Sequence, residues 1–178
     1  MIMSPPLRKV VLTLHVTTSL GWLGAVAAYV ALDVAALTGQ DVQTVRSAYL
    51  AMEMIAWYVV VPLALASALI GLINALGTSW GLLRHYWVVV KFLLALLAAA
   101  VLLVETRTIS SMADAAAVGA DPRDLPGTLP HSVGGLVVLV VITILSVFKP
   151  RGLTRYGWRK QEQQRRDERA QRPVSAEQ

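Results

Sequence analysis

Long apolar segments separated by short polar ones make up most of this chain. Four of them approach or exceed the roughly 20 residues of helix that a bilayer core requires. The pattern predicts membrane-spanning helices at about residues 10–36, 50–76, 86–108 and 131–149. The fold class that follows is an all-α bundle of four transmembrane helices. Residues 1–149 form the membrane domain, and residues 150–178 form a basic tail.

The first apolar run, Val10 to Leu37, carries a stripe of polar and aromatic residues at heptad-like spacing. Residues spaced in this way share one face of a helix. Polar groups are costly in lipid, so a membrane helix turns such a stripe toward protein. We therefore expect the other helices to cover a stripe made of His15, Ser19, Trp22, Tyr29 and Asp33.

Composition and charge agree with a membrane protein and indicate its orientation. The chain is 56% hydrophobic, with a mean hydropathy of +0.58 and a net charge of +5. Most of the excess basic charge lies after Phe148 and lacks the aromatic or glycine-rich pattern of an RNA-binding segment, which argues against nucleic acid as a partner. Under the positive-inside rule, these basic residues with Arg8, Lys9 and Arg84 place both termini in the cytoplasm.

A cleaved signal peptide is the competing interpretation of the first run. A secretory apolar region has only about 7 to 15 residues, and this run is nearly twice as long. Cleavage would also leave three helices with the basic tail on the wrong side of the membrane. The first run is therefore predicted to remain as a helix.

Two local features refine the second helix. The polar segment Gly39 to Ser47 predicts a short outer loop before it. Pro62 cannot donate a backbone hydrogen bond, so we expect it to free the carbonyl of Tyr58 and to bend the helix near its middle.

Ionisable residues inside the predicted spans fall into two layers. His15, Asn74 and Lys91 lie roughly 8 to 10 Å from the cytoplasmic boundary, counting about 1.5 Å per residue. Glu53, Glu105 and His131 lie near the outer boundary with Asp33 and Arg107. The alternative is that helix-end charges simply reach headgroup water. The predicted polar interior comprises His15, Ser19, Trp22, Tyr29, Glu53, Ser67, Asn74, Lys91 and Glu105.

Two cofactors are compatible with the residue types. Haem b needs two histidines at matching depth, and His15 lies more than a turn deeper than His85. Copper(I) favours thioether and imidazole ligands. Such groups are predicted together at the outer face: Met52, Met54, Met112 and His131. Packing of the methionines as plain apolar residues is the alternative.

The tail near the membrane is suited to anionic lipid headgroups, which attract basic side chains by about 1 kcal/mol each near the surface. The residues expected to contact headgroups are Lys149, Arg151, Arg155, Arg159 and Lys160.

Short motifs resemble known membrane proteins. Leu14-His15-Val16 followed by Gly21-Trp22-Leu23-Gly24 resembles the opening helix of copper-resistance D-type membrane proteins, and Val90-Lys91-Phe92 resembles a later helix of that group. Those proteins are longer, so the chain would be a half-size relative. The tail segment Lys149 to Gly157 is similar to tails of small actinobacterial integral membrane proteins. The resemblance implies a bacterial membrane protein in which His15 and Trp22 are positions of interest.

No hydrolytic triad, phosphate loop or H-E-x-x-H zinc motif occurs in the sequence, so we expect no enzymatic activity. The leading expectation is a protein of the cytoplasmic membrane whose polar interior handles a small cation or a metal ion. The alternatives are a haem-binding redox protein and a scaffold that meets a partner helix or a second copy. A dimer interface would use Gly21 and Gly24.

Overall fold

A computed structural model describes residues 3–77, 81–118, 121–150 and 152–170. Within these ranges the chain is helical and contains no strand. The six α-helices are α1 (Pro5–Thr38), α2 (Val42–Ile55), α3 (Val61–Gly77), α4 (Tyr86–Val118), α5 (Leu129–Phe148) and α6 (Arg155–Ala170). A π-helical turn, Ala56–Val60, joins α2 to α3, so that they form one continuous helix of 36 residues.

Four helices are long and apolar enough to cross a membrane: α1, the continuous α2–α3 helix, α4 and α5. The predicted all-α architecture with four such helices is therefore confirmed at this level. α1 begins earlier than expected, at Pro5, because a proline is tolerated in the first turn, where its missing N–H has no helical partner to lose.

The outer loop expected over Gly39 to Ser47 is wrong in extent, because α2 already begins at Val42. Asp41 starts this helix by accepting a hydrogen bond from the Thr44 amide at 2.8 Å. Apolar residues at helical spacing then bury one face of α2, among them Val45 and Tyr49.

The bend expected at Pro62 takes the form of the π-helical turn. The amide of Val61 donates to the carbonyl of Ala56, five residues earlier, in place of the usual four. Proline supplies no amide and its ring crowds the preceding turn, so one extra residue in that turn relieves the conflict. Pro62 itself lies on the exposed side of the helix.

The membrane-length helices pack in chain order around a central axis. α1 packs against α3 and α5, and α4 packs against the same two helices from the other side. The beginning of α1 and the end of α5 therefore share one end of the bundle, which we call the basic end because Arg8 and Lys149 lie there. The opposite end is the distal end.

The distal end extends past the beginning of α5. α5 has 20 residues, about 30 Å of helix, whereas α4 has 33, about 50 Å. The overhanging parts of α1, α2 and α4 enclose a cluster of buried residues that we call the distal core. It consists of Ala36, Val45, Ala48, Tyr49, Met52, Ala56, Ile109, Met112 and Ala116.

The tail helix α6 is attached to the connection that precedes α4. The Thr154 hydroxyl donates to the carbonyl of Leu83 at 2.6 Å, and the Thr154 amide donates to the carbonyl of Arg84 at 3.0 Å. Gly157 lies directly against the Arg84 carbonyl, where a Cβ atom would collide with it. The beginning of α6 is thus held at the basic end.

Candidate functional site: two cavities on the bundle axis

Two cavities lie along the interior of the bundle. One, of about 570 Å³, extends toward the basic end and is called the basic cavity. The other, of about 300 Å³, lies toward the distal end and is called the distal pocket. Trp22 and Leu139 line both cavities, and both side chains are buried. These two side chains therefore form the partition between the cavities.

The basic cavity is lined by all four membrane-length helices and has a one-sided charge. Its ionisable wall residues are Arg8, His15, Lys91 and Lys149, and no aspartate or glutamate of the described ranges joins them. The wall also offers neutral hydrogen-bonding groups: Ser19, Ser67, Asn74, Thr143 and Ser146. The residues predicted at matching depth, His15, Asn74 and Lys91, all line this one cavity.

His15 occupies its place because Gly71 leaves room for the imidazole. A Cβ atom on Gly71 would lie 2.8 Å from the His15 Cε1 atom. The His15 Nδ1 atom is buried and has no hydrogen-bond partner within the described ranges. One turn away, the Ser19 and Ser67 hydroxyls are 2.7 Å apart and tie α1 to α3. The polar stripe of α1 therefore faces α3 and the cavity.

The two lysines of the basic cavity are held in different ways. The Lys91 Nζ atom lies 5.8 Å from the centre of the Trp87 ring, a cation–π distance. Lys149 ends α5 with φ of 43°, a left-handed conformation that is uncommon for a residue with a side chain. Arg8 and Lys149 are exposed, whereas His15 and Lys91 are partly buried, so the basic groups run from the mouth inward.

The distal pocket is mainly apolar, with one carboxylate in its wall. Glu105 faces it from α4, and His131 lies at the exposed edge with its Nδ1 atom 3.6 Å from the Glu105 Oε1 atom. The other carboxylate oxygen of Glu105, Oε2, is buried and has no hydrogen-bond partner within the described ranges. Gly134 and Gly135 border the space, and a Cβ atom on either would contact nothing within 4 Å.

Asp33 is the most fully enclosed charged residue of α1, with no solvent exposure. Its carboxylate accepts hydrogen bonds from the Thr128 amide at 3.2 Å, the Thr128 hydroxyl at 2.8 Å and the Ser132 hydroxyl at 2.9 Å. The Tyr29 hydroxyl lies 3.2 Å from the Thr128 hydroxyl oxygen and donates to it, because Thr128 uses its own hydrogen on Asp33. A carboxylate is favoured at this position, the N-terminus of α5.

The residues predicted to bind copper lie on different surfaces. Met52 and Met112 are buried in the distal core, whereas Met54 is 63% exposed on another face of α2. His131 is paired with Glu105 at the distal pocket. Within the described ranges no group of three or more His, Asp or Glu side chains could hold a metal ion.

The three histidines also occupy separate positions. His15 lines the basic cavity, His131 lines the distal pocket, and His85 pairs through its backbone with Leu153 beside the tail. Neither cavity contains two histidines in its described lining, as a bis-histidine haem would require. Glu53, which was expected in the polar interior, lines neither cavity.

The tail residues expected at lipid headgroups have two locations. Arg155, Arg159 and Lys160 are exposed on α6, next to the exposed aromatic residues Tyr156 and Trp158. Lys149 instead lines the basic cavity, and Arg151 lies outside the described residues. Of the glycines expected in a dimer interface, Gly21 faces Leu63 within the bundle, whereas Gly24 is open.

The fold and its cavities define a class of protein: an all-helical chain with four membrane-length helices and a polar cavity between them. Comparisons with protein-family profiles, curated proteins and solved structures find no match at any of these three levels.

Proposed function

We propose that this chain is a non-enzymatic, multi-pass protein of a bacterial cytoplasmic membrane whose basic cavity binds a small anion. The observation that carries the proposal is the sign of the cavity wall. Arg8, Lys91 and Lys149 line it together with His15, and no carboxylate of the described ranges lies among them. In a low-dielectric interior, uncompensated positive charge attracts an anion more strongly than it does in water.

The gradient of exposure supports entry from the basic end. Arg8 and Lys149 are exposed at the mouth, and Lys91 lies further in. A cleft lined by charge of one sign concentrates oppositely charged ligands and raises their rate of association. Neutral donors deeper in the wall, such as Asn74 and Thr143, can then satisfy the oxygen atoms of the anion.

The orientation belongs to the same proposal. Arg8, Lys9, Arg84 and the basic tail all lie at the mouth of the cavity. The positive-inside rule places that end in the cytoplasm, so the anion would come from the cytoplasm. Exposed basic residues of α6, with Tyr156 and Trp158, suit a helix resting on anionic headgroups.

The expected cation or metal is disfavoured in the basic cavity by the same charges. A cation there would meet three positively charged side chains with no carboxylate of the described lining to compensate them. The resemblance to copper-resistance proteins keeps copper among the ligands to be tested. A haem and a partner helix are tested in the same preparation, by its absorption spectrum and its co-purifying proteins.

The test is equilibrium binding of radiolabelled pyrophosphate to the protein in nanodiscs of neutral lipid, at low salt. We expect saturable binding that Lys91→Met weakens by about tenfold or more, because a hydrogen bond to a charged group is lost. Added salt should weaken it further. Glu53→Gln is the matched control, because Glu53 is a membrane-helix residue outside both described linings.

Three results would contradict the proposal. The first is pyrophosphate binding equally well to wild type and to Lys91→Met. The second is stoichiometric copper that His131→Ala abolishes, in a protein that binds no pyrophosphate. The third is a Soret band that His15→Ala abolishes, which would assign His15 to a haem.

A further inference from the structure

The distal pocket has the features of a second binding site, of different chemistry from the basic cavity. Its wall combines Trp22, Val26 and Leu139 with apolar residues of α4 and α5. Its volume of about 300 Å³ is at the lower limit of the range typical of small-molecule pockets. A ligand for this space must be compact and largely hydrocarbon.

The polar groups of the wall are mostly occupied within the protein. The Thr128 and Ser132 hydroxyls donate to Asp33, and the Tyr29 hydroxyl donates to Thr128. The Thr106 hydroxyl donates to the carbonyl of Leu103 at 2.8 Å. These four hydroxyls have their hydrogens committed and do not recruit a ligand.

Glu105 is the exception. Its Oε2 atom is buried without a hydrogen-bond partner in the described ranges. The nearby His131 ring lies at 3.6 Å from the other oxygen, beyond hydrogen-bond distance, and its side chain is 59% exposed. A buried carboxylate oxygen without a donor is costly, and a ligand that supplies a donor relieves that cost.

We infer that the distal pocket binds a compact hydrophobic amine, with its ammonium group on the Glu105 carboxylate and its hydrocarbon body against Trp22 and Leu139. An ammonium group supplies both a hydrogen-bond donor and the compensating charge. The aromatic face of Trp22 adds a favourable surface for a cation or for its methylene groups. The ligand class is therefore opposite in charge to that of the basic cavity, on the other side of the same partition.

The two glycines of α5 leave the space that such a body needs. A Cβ atom on Gly135 would contact nothing within 4 Å, so a larger side chain there can enter the pocket without moving the backbone. Gly135→Leu therefore fills the volume and leaves Glu105 in place. Glu105→Gln does the reverse, because it removes the charge and keeps the volume.

The test is isothermal titration of the protein in nanodiscs with 1-adamantanamine and with 1-adamantanol, using empty nanodiscs as the reference. These probes share a rigid hydrocarbon body and differ in the cationic group. We expect wild type to bind the amine about ten- to a hundredfold more tightly than the alcohol. Glu105→Gln should abolish that preference, and Gly135→Leu should weaken binding of both probes.

Glu53→Gln is the control, and it should retain the preference for the amine, since Glu53 lies outside the described pocket lining. Equal binding of the two probes by wild type would overturn the inference. So would an amine preference that survives Glu105→Gln, or affinities that Gly135→Leu leaves unchanged. Pyrophosphate binding is measured on the same samples, so that failure of the distal site and failure of the basic site are distinguished.

Discussion

The two ends of this bundle are packed for different purposes. At the distal end, Tyr49 and Met52 are almost completely buried, and Asp33 has three hydrogen-bond donors. At the basic end, the helices surround a cavity of about 570 Å³, and the buried His15 Nδ1 atom has no partner in the described ranges. The difference teaches that stability is concentrated where groups are satisfied, and binding where they are not.

The largest loss of stability is expected at Asp33. Asp33→Ala leaves the Thr128 amide and the Thr128 and Ser132 hydroxyls without an acceptor, which should cost about 3 kcal/mol or more. Thermal unfolding in one detergent measures the effect. Asp33→Asn keeps an acceptor oxygen and should lose less. Asp41→Ala removes an exposed cap and should lose the least of the three, so an equal loss for all would contradict the role of burial.

The next effect compares two methionines of one helix. Met52→Ala should cost about 2 to 5 kcal/mol, because the side chain is fully buried in the distal core. Met54→Ala should change stability by no more than about 0.5 kcal/mol, because Met54 is 63% exposed. Unfolding midpoints of both variants give the comparison. Equal destabilisation would mean that α2 packs on a different face.

A smaller effect, of opposite sign, is expected at the basic end. Lys149→Gly relieves the left-handed conformation at the end of α5 and should raise stability by about 1 kcal/mol. It also removes one cation from the basic cavity, so pyrophosphate binding should weaken. The paired measurements separate the two roles. Lower stability with unchanged binding would contradict the assignment of Lys149 to binding.

The smallest effect concerns the distal connection, outside the membrane-length helices. Hydrogen bonds from the Arg123 side chain lower the pKa of Asp121 from 3.8 to about 2. Stabilisation from this pair is therefore complete above about pH 4 and is lost as the pH falls through about 2. A carboxylate NMR titration should give this low midpoint in wild type and a higher one in Arg123→Gln. A wild-type midpoint at the ordinary value would exclude the interaction.

The four membrane-length helices could be predicted from the sequence because apolar length alone sets them. Depth counting also grouped His15, Asn74 and Lys91, which line one cavity. It could not give the sign of that cavity, since Arg8 and Lys149 lie at helix ends, where a side chain turns inward or outward according to helix tilt.

Other features depended on contacts distant in sequence. Asp33 finds its donors 95 and 99 residues later, in Thr128 and Ser132, and helical periodicity carries no information about such pairs. Met52 and Met54 were equivalent as copper ligands by residue type, yet two positions along a helix turn them to different faces. The π-helical turn beside Pro62 was predicted only as a bend, because proline frees a carbonyl without fixing how the turn closes.

The binding of an anion between the four basic groups can be tested most directly by anomalous diffraction from crystals soaked in tungstate, a heavy oxyanion. We expect an anomalous peak inside the basic cavity, between Lys91 and the mouth formed by Arg8 and Lys149, and its loss in Lys91→Met crystals. Tungstate peaks confined to the outer surface, or copper occupying the cavity in a parallel soak, would contradict the proposal that this protein binds an anion there.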